Sequence, residues 1–324
     1  MRSEGGVIRA LRRRFPAGGG VRVGIGDDAA VLAPTRAGRD WVVTTDWLIE
    51  GVHFRRDTHP ARAVGWKALA RSLSDLAAMA AEPRYALVAL AVPPATAPRW
   101  VDGFFAGVKA LAARHGVKLV GGDLSSAPQI AVDVQALGEV ERGRAVERRG
   151  ARPGDQIFVS GTLGLSHLGL VALRRGRAAA FRRAVRFHLY PEPRVRLARA
   201  LRRRGVTAMI DTSDGLSTDL AHICESSRVG ARLWKEKIPA ARLTPAEEKR
   251  LGVTAWELAV NGGEDYELLF TLPKRRAARL PKKLAGVKLA AIGEITRERG
   301  LVAVDSAGRA RPLAVRGWDH FRRR

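Results

Sequence analysis

Asp211-Thr212-Ser213-Asp214-Gly215-Leu216 is the stretch on which the fold turns. Residues 207–210 lead into it as a short strand. Behind it Leu216, Leu220 and Ile223 recur at the spacing of one helix face. A strand that ends in a polar turn and restarts as a helix is the building unit of an α/β protein. One hydroxyl or carboxylate suffices to cap the new helix. This segment offers three such groups, and the free N–H groups of a helix start also suit an anion.

Working outward, the same chemistry recurs. Gly24-Ile25-Gly26-Asp27-Asp28, Thr44-Thr45-Asp46, Leu73-Ser74-Asp75 and Gly121-Gly122-Asp123 bring the total to seven aspartates beside small residues. Asp favours turns and caps, but turns alone do not need so many carboxylates. If the segments converge, their charges must be neutralised, because carboxylates sharing a cleft repel. Mg2+ answers that need: it takes oxygen ligands, keeps waters and binds substrate phosphates. The expectation is a Mg2+-nucleotide site built from loops.

Strands are expected at 40–46, 84–92, 117–120, 129–140, 156–159, 207–210, 256–260, 266–271 and 288–294. Helices are expected at 60–80, 98–115, after Thr162, at 193–204 and from 215. On this reading Thr44-Thr45-Asp46 closes a strand, and Asp75 lies beside the apolar stripe of a helix, where an unpartnered carboxylate is unfavourable. Gly121-Gly122 lets backbone N–H groups approach a phosphate. Asn261-Gly262-Gly263-Glu264 forms a turn presenting Glu264 to a cleft. The cluster 149–155 is the best interior turn, which divides the chain into domains 1–150 and 151–324.

Bulk properties narrow the class. The 324 residues are 46% hydrophobic and 27% charged, ordinary for a globular protein. One cysteine excludes an internal disulfide; Cys224 reads as a small core residue. The longest apolar run, Tyr85–Pro94, is too short to cross a bilayer, and the N-terminal residues lack a secretory apolar core; the expectation is a cytoplasmic protein without membrane contact. The net charge of +25 comes mostly from arginines in scattered runs, without interleaved aromatics. It reads as a solvated surface rather than a nucleic-acid site. Gly24-Ile25-Gly26 meets the loose dinucleotide pattern, but a strand rather than a helix follows it. The Walker A and kinase catalytic-loop patterns are absent.

Together these segments resemble the thiamine-monophosphate kinase family, of the superfamily that includes aminoimidazole ribonucleotide synthetase and selenophosphate synthetase. The resemblance rests on Gly24–Asp28, Gly51-Val52-His53-Phe54, Leu73–Met79, Asp211–Leu216, Gly262–Leu268 and the ending Gly317-Trp318-Asp319-His320-Phe321. It implies two tandem α/β (α+β) domains of the aminoimidazole ribonucleotide synthetase-like type, paired into a homodimer through the N-terminal domain. The implied reaction is direct in-line phosphoryl transfer from ATP to thiamine monophosphate. Asp28, Thr44, Thr45, Asp46, Asp75, Asp123, Asp211 and Asp214 would hold several Mg2+ ions, with Asp46, Asp75, Asp123 and Asp211 counted as catalytic. Gly122, Asp123, Arg148 and Ser213 would contact ATP; His53, Glu264 and Trp318 would contact the thiamine end. Asp27 is a neighbour of that set. A second reading is another ATP-dependent member of the superfamily acting on an amidine or carbamoyl substrate.

Overall fold

The computed structural model describes residues 8–9, 20–33 and 38–318. Asp319-His320-Phe321 and the arginine runs at 12–14 and 322–324 lie outside the described residues.

The first sheet is formed by β1 (Val21–Val23), β2 (Ala30–Leu32), β3 (Arg39–Ile49), β4 (Glu82–Val92), β5 (Lys118–Ser126) and β6 (Ala131–Glu141), in the order β1-β2-β3-β6-β4-β5. All neighbours are antiparallel except β4 and β5. Helices α1 (Ala61–Ala78) and α2 (Pro98–His115) pack together over this sheet. They approach backbone to backbone: a Cβ at Gly65 would lie 1.9 Å from the Phe104 carbonyl oxygen, and one at Gly107 2.0 Å from that of Arg62.

The second sheet follows from residue 156. It comprises β7 (Gln156–Ser160), β8 (Ala208–Asp211), β9 (Gly230–Trp234), β10 (Leu268–Leu272), β11 (Lys283–Leu284), β12 (Val287–Thr296), β13 (Gly300–Val304) and β14 (Ala310–Pro312). Its order is β14-β13-β9-β12-β7-β10-β8, with β11 on β12. Around it lie α3 (Leu165–Arg174), α4 (Arg182–Leu189), α5 (Val195–Arg204), α6 (Leu216–Ser227), α7 (Pro245–Leu251), α8 (Ala255–Asn261) and α9 (Lys274–Ala277). The end of α1 joins the two halves: Ala77 and Ala80 pack with Phe158, Leu268 and Phe270 of the second sheet. Small side chains there let the helix approach the sheet closely.

Three local expectations are corrected. Residues 256–260 are helical: Thr254 and Glu257 form a reciprocal capping box, with Glu257 N–H donating to Thr254 Oγ1 at 3.1 Å, and it outweighs the strand-like composition. Gly121-Gly122-Asp123 lies within β5, and Asp46 lies inside β3 rather than at its end. In both cases ladder pairing with the neighbouring strand, β4 or β6, carries the extended backbone through the polar residues. Helices α4, α7 and α9 and strands β1, β9, β11, β13 and β14 were not anticipated.

Candidate active site

The 211–216 turn sits where the two halves meet. β8 delivers Asp211, which is 2% exposed, and α1 delivers Asp75 from the other side. The 24–28 loop delivers Asp28. One carboxylate oxygen from each of Asp28, Asp75 and Asp211 lies within 4.8 Å of the other two. Hydroxyl groups brace them: Thr44 Oγ1 donates to Asp75 Oδ2 at 2.6 Å, and Ser74 Oγ donates to Asp211 Oδ2. Arg148 closes the group with a bidentate bond to Asp28, at 2.9 and 3.1 Å, and its backbone N–H donates to Asp27.

One arginine does not balance these carboxylates. Burial, then the carboxylates of Asp211 and Asp46, push Asp75 well above the usual range. Burial and Asp28 push Asp211 up to about 8 and Asp27 up to about 7. A hard divalent cation would relieve this repulsion, and the all-oxygen donor set fits one.

Two clefts meet at this group, and both are lined by Asp28, Thr44, Arg148, Ser213, Asp214 and Trp318. The first, of about 1430 Å3, continues past Asp27, Gln135, Asp219 and His222. The second, of about 750 Å3, continues past His53, Asp46, Glu264 and Tyr266. His53 accepts the Ile49 N–H at Nδ1, which orients its ring. Trp318 is tied to the 211–215 turn through its backbone N–H on the Asp214 carbonyl, at 3.0 Å.

Glu264 is surrounded by cations. Lys67 Nζ is 2.8 Å and Arg71 Nη1 3.7 Å from its Oε1, and Arg71 also binds Asp46 at 2.6 Å. Burial alone raises a carboxyl; here Lys67, His188 and Arg71 outweigh it and hold Glu264 at about 2.

Some expected residues do not join the group. The period-two alternation of β3 puts Thr44 and Asp46 toward α1 and Thr45 on the opposite face, where its hydroxyl donates to Asp133 of β6. Gly122 and Asp123 lie on the fully exposed edge strand β5, outside the linings of both clefts. Asp123 is aligned through Ala89 with Asp133, on the Thr45 face of the sheet. Gly122 has no room for a Cβ, which would lie 1.9 Å from the Val88 carbonyl oxygen.

Sequence reasoning missed Lys67, Arg71, Asp133 and Asp219. Lys67, Arg71 and Asp75 follow one another at four-residue steps on α1, a signal that was present in the sequence.

Residues 26–140 and 152–306 match the N-terminal and C-terminal domains of AIR synthase related protein. The thiamine-monophosphate kinase of Synechococcus elongatus is 38% identical over 306 residues, covering 91% of each chain. That of Escherichia coli K12 is 36% identical, covering 93% of this chain and 92% of the relative. The chain belongs to the thiamine-monophosphate kinase family. Its fold agrees with this membership. The structure of AaThiL complexed with AMPPCP and TMP superposes with a TM-score of 0.87 at 33% identity, covering 99% of both chains. Hydrogenase maturation protein HypE in complex with ATP, 21% identical with a TM-score of 0.69, shares the fold. The family architecture is two tandem mixed α/β domains, and the two sheets described above are those domains. No helix among the described residues is long and apolar enough to cross a membrane.

Proposed function

We propose that this chain phosphorylates thiamine monophosphate with ATP, giving thiamine diphosphate and ADP. The observation that carries the reading is the convergence of Asp28, Asp75 and Asp211 at the junction of two clefts, in a family whose relative AaThiL holds AMPPCP and TMP together. In the reaction an oxygen of the acceptor phosphate bonds the γ-phosphorus of ATP, and the bond from that phosphorus to the β,γ-bridging oxygen breaks.

The chain's task is to bring two polyanions together. Two unit charges about 4 Å apart repel by roughly 4 kcal/mol at an effective dielectric near 20. Asp28, Asp46, Asp75, Asp211 and Asp214, with Thr44, would hold Mg2+. The bound ions supply neutralisation of the phosphates and of the leaving oxygen. Arg148 and Ser213, in the walls of both clefts, contact ATP. His53, Glu264 and Trp318 line the second cleft and take the thiamine end, with Trp318 stacking on its cationic ring. The acceptor oxygen is already ionised at neutral pH, so no general base is required; the rate comes from alignment and charge neutralisation.

The open edge of the first sheet supports a homodimer. Leu119, Val120 and Leu124 of the unpaired edge strand β5 are 43%, 56% and 68% exposed, and an open apolar edge is a pairing site. Gly122 and Asp123, outside both clefts of their own chain, would meet a nucleotide only beside such a second copy. Light scattering tests this: Leu124→Lys turns a dimer into a monomer, and a wild-type monomer removes the idea. We further place the domain seam at 150/151, within residues 142–155 that separate the sheets, and the protein in the cytoplasm.

Incubation with thiamine monophosphate, ATP and Mg2+, followed by chromatography, should yield thiamine diphosphate in step with ADP. ADP release only with a carbamoyl or amidine substrate rejects the proposed acceptor.

A further inference from the structure

Lys67 has no exposed surface, a rare state for lysine. It lies on α1 behind the second cleft, whose wall includes Arg71 and Glu264 but not Lys67. A buried ammonium is unfavourable unless paired, and an apolar side chain of similar volume often serves packing at least as well. Packing therefore does not explain a lysine here. Its Nζ stands 2.8 Å from Glu264 Oε1. One helical turn on, Arg71 joins the same oxygen to Asp46; one turn further, Asp75 enters the carboxylate group. One row of α1 thus runs from the second cleft to the reacting centre.

Glu264 is held on every side. Its φ is +66°, in the left-handed region that a non-glycine residue occupies only when its surroundings enforce it. Its N–H donates to the Ser213 carbonyl at 2.7 Å. A Cβ on the preceding Gly263 would lie 2.4 Å from that same oxygen. With Oε1 taken by Lys67 and Arg71, Oε2 is left toward His188 Nδ1, 3.6 Å away, and toward a ligand.

Resting on the reading of thiamine monophosphate as acceptor, the geometry points to Lys67 as a positioning residue that clamps the Glu264 carboxylate in place to receive the acceptor's cationic ring. Lys67 touches no substrate. It sets acceptor affinity through Glu264 and leaves ATP affinity alone. Arg71 does not replace it, because Arg71 is shared with Asp46 and stands farther from Glu264.

The test is a double-mutant cycle on the full chain, with KM measured separately for thiamine monophosphate and ATP. Lys67→Met should raise the acceptor KM about tenfold or more, the size expected for losing a charge-assisted contact. The ATP KM should stay within about twofold, and Lys67→Arg should recover part of the loss. Glu264→Gln should raise the acceptor KM likewise. In the Glu264→Gln background, adding Lys67→Met should change it no further, and this comparison stands even where Lys67→Met alone does not fold. An unchanged acceptor KM in Lys67→Met, equal losses for both substrates, or losses that multiply in the double variant would each overturn the assignment while leaving the proposed reaction intact. A wild-type protein that makes no thiamine diphosphate would remove both.

Discussion

Asp75 and Glu264 are both carboxylates of the same interior, and they stand in opposite states. Asp75 faces Asp28, Asp46 and Asp211 and is driven well above the ordinary carboxylate range by burial and then by those charges. Glu264 is as deeply placed, yet Lys67, His188 and Arg71 outweigh burial and hold it at about 2. Lys67, which serves Glu264, lies eight residues from Asp75 on the same helix, about 12 Å along its axis. Burial is common to both sites; the sign of the surrounding charge is not. The Glu264 site carries its own counter-cations and is complete in the protein alone. At the Asp75 site Arg148 is engaged by Asp28 and Arg71 by Asp46, so among the described residues Asp75 and Asp211 have no cation of their own, the state expected of a site that a metal and phosphates would complete.

The contrast is most exposed to failure in turnover. Asp75→Asn or Asp211→Asn should lower kcat on the order of a thousandfold and leave the metal-free melting temperature unchanged or higher, since like charges are removed. Near-normal turnover in either variant breaks the metal assignment.

Next in size, Glu264→Ala should destabilise the fold by about 3 kcal/mol in urea unfolding, because it leaves Lys67 buried without its counter-charge. A neutral result would mean that the cation-rich site is not the self-contained one.

The pH dependence separates the two sites further. Asp211, raised to about 8 when folded, binds more protons folded than unfolded, so the metal-free protein loses stability as pH rises through this interval. The slope is about 1.4 kcal/mol per pH unit between pH 5 and 7 for each such group. Glu264 contributes the opposite way: its stability is present above its unfolded value and is lost only as pH falls through about 2. Urea melts from pH 5 to 8 without metal should show the falling slope, and Asp211→Asn should flatten it. A flat wild-type profile contradicts the crowding of carboxylates.

The smallest effect is the most direct. Mg2+ at ten times its Kd should stabilise the wild type by about 1.4 kcal/mol, and thermal shift should find this gain missing in Asp211→Asn but kept in Glu264→Gln. Equal gains in both variants would erase the distinction.

Much of the architecture was legible in residue order. Helix 98–115 and the strands around 84–92, 129–140 and 207–210 emerge from apolar periodicity and from Pro and Gly punctuation, because these local patterns match elements that pack as they read. The 255–261 helix did not, since five mixed residues look alike in strand and helix until the Thr254–Glu257 cap is recognised. The polar turns Asp27-Asp28 and Asp211–Asp214 stood out as site candidates because they hold more carboxylates than a turn or a helix cap needs.

Which of those aspartates meet is a separate matter. Strand β3 presents Thr44 and Asp46 to α1 and turns Thr45 away, and β5 carries Asp123 to an outer edge; only strand pairing sets these directions. Lys67 and Arg71 looked like ordinary charges on a helix until α1 was enclosed by both sheets. Sequence order thus sufficed to single out the candidate carboxylates, Asp28, Asp75 and Asp211 among them, because composition and spacing are local. Their pairing, their protonation and the cations set against Glu264 came from the packing of the two halves, because charge interactions act across space and not along the chain.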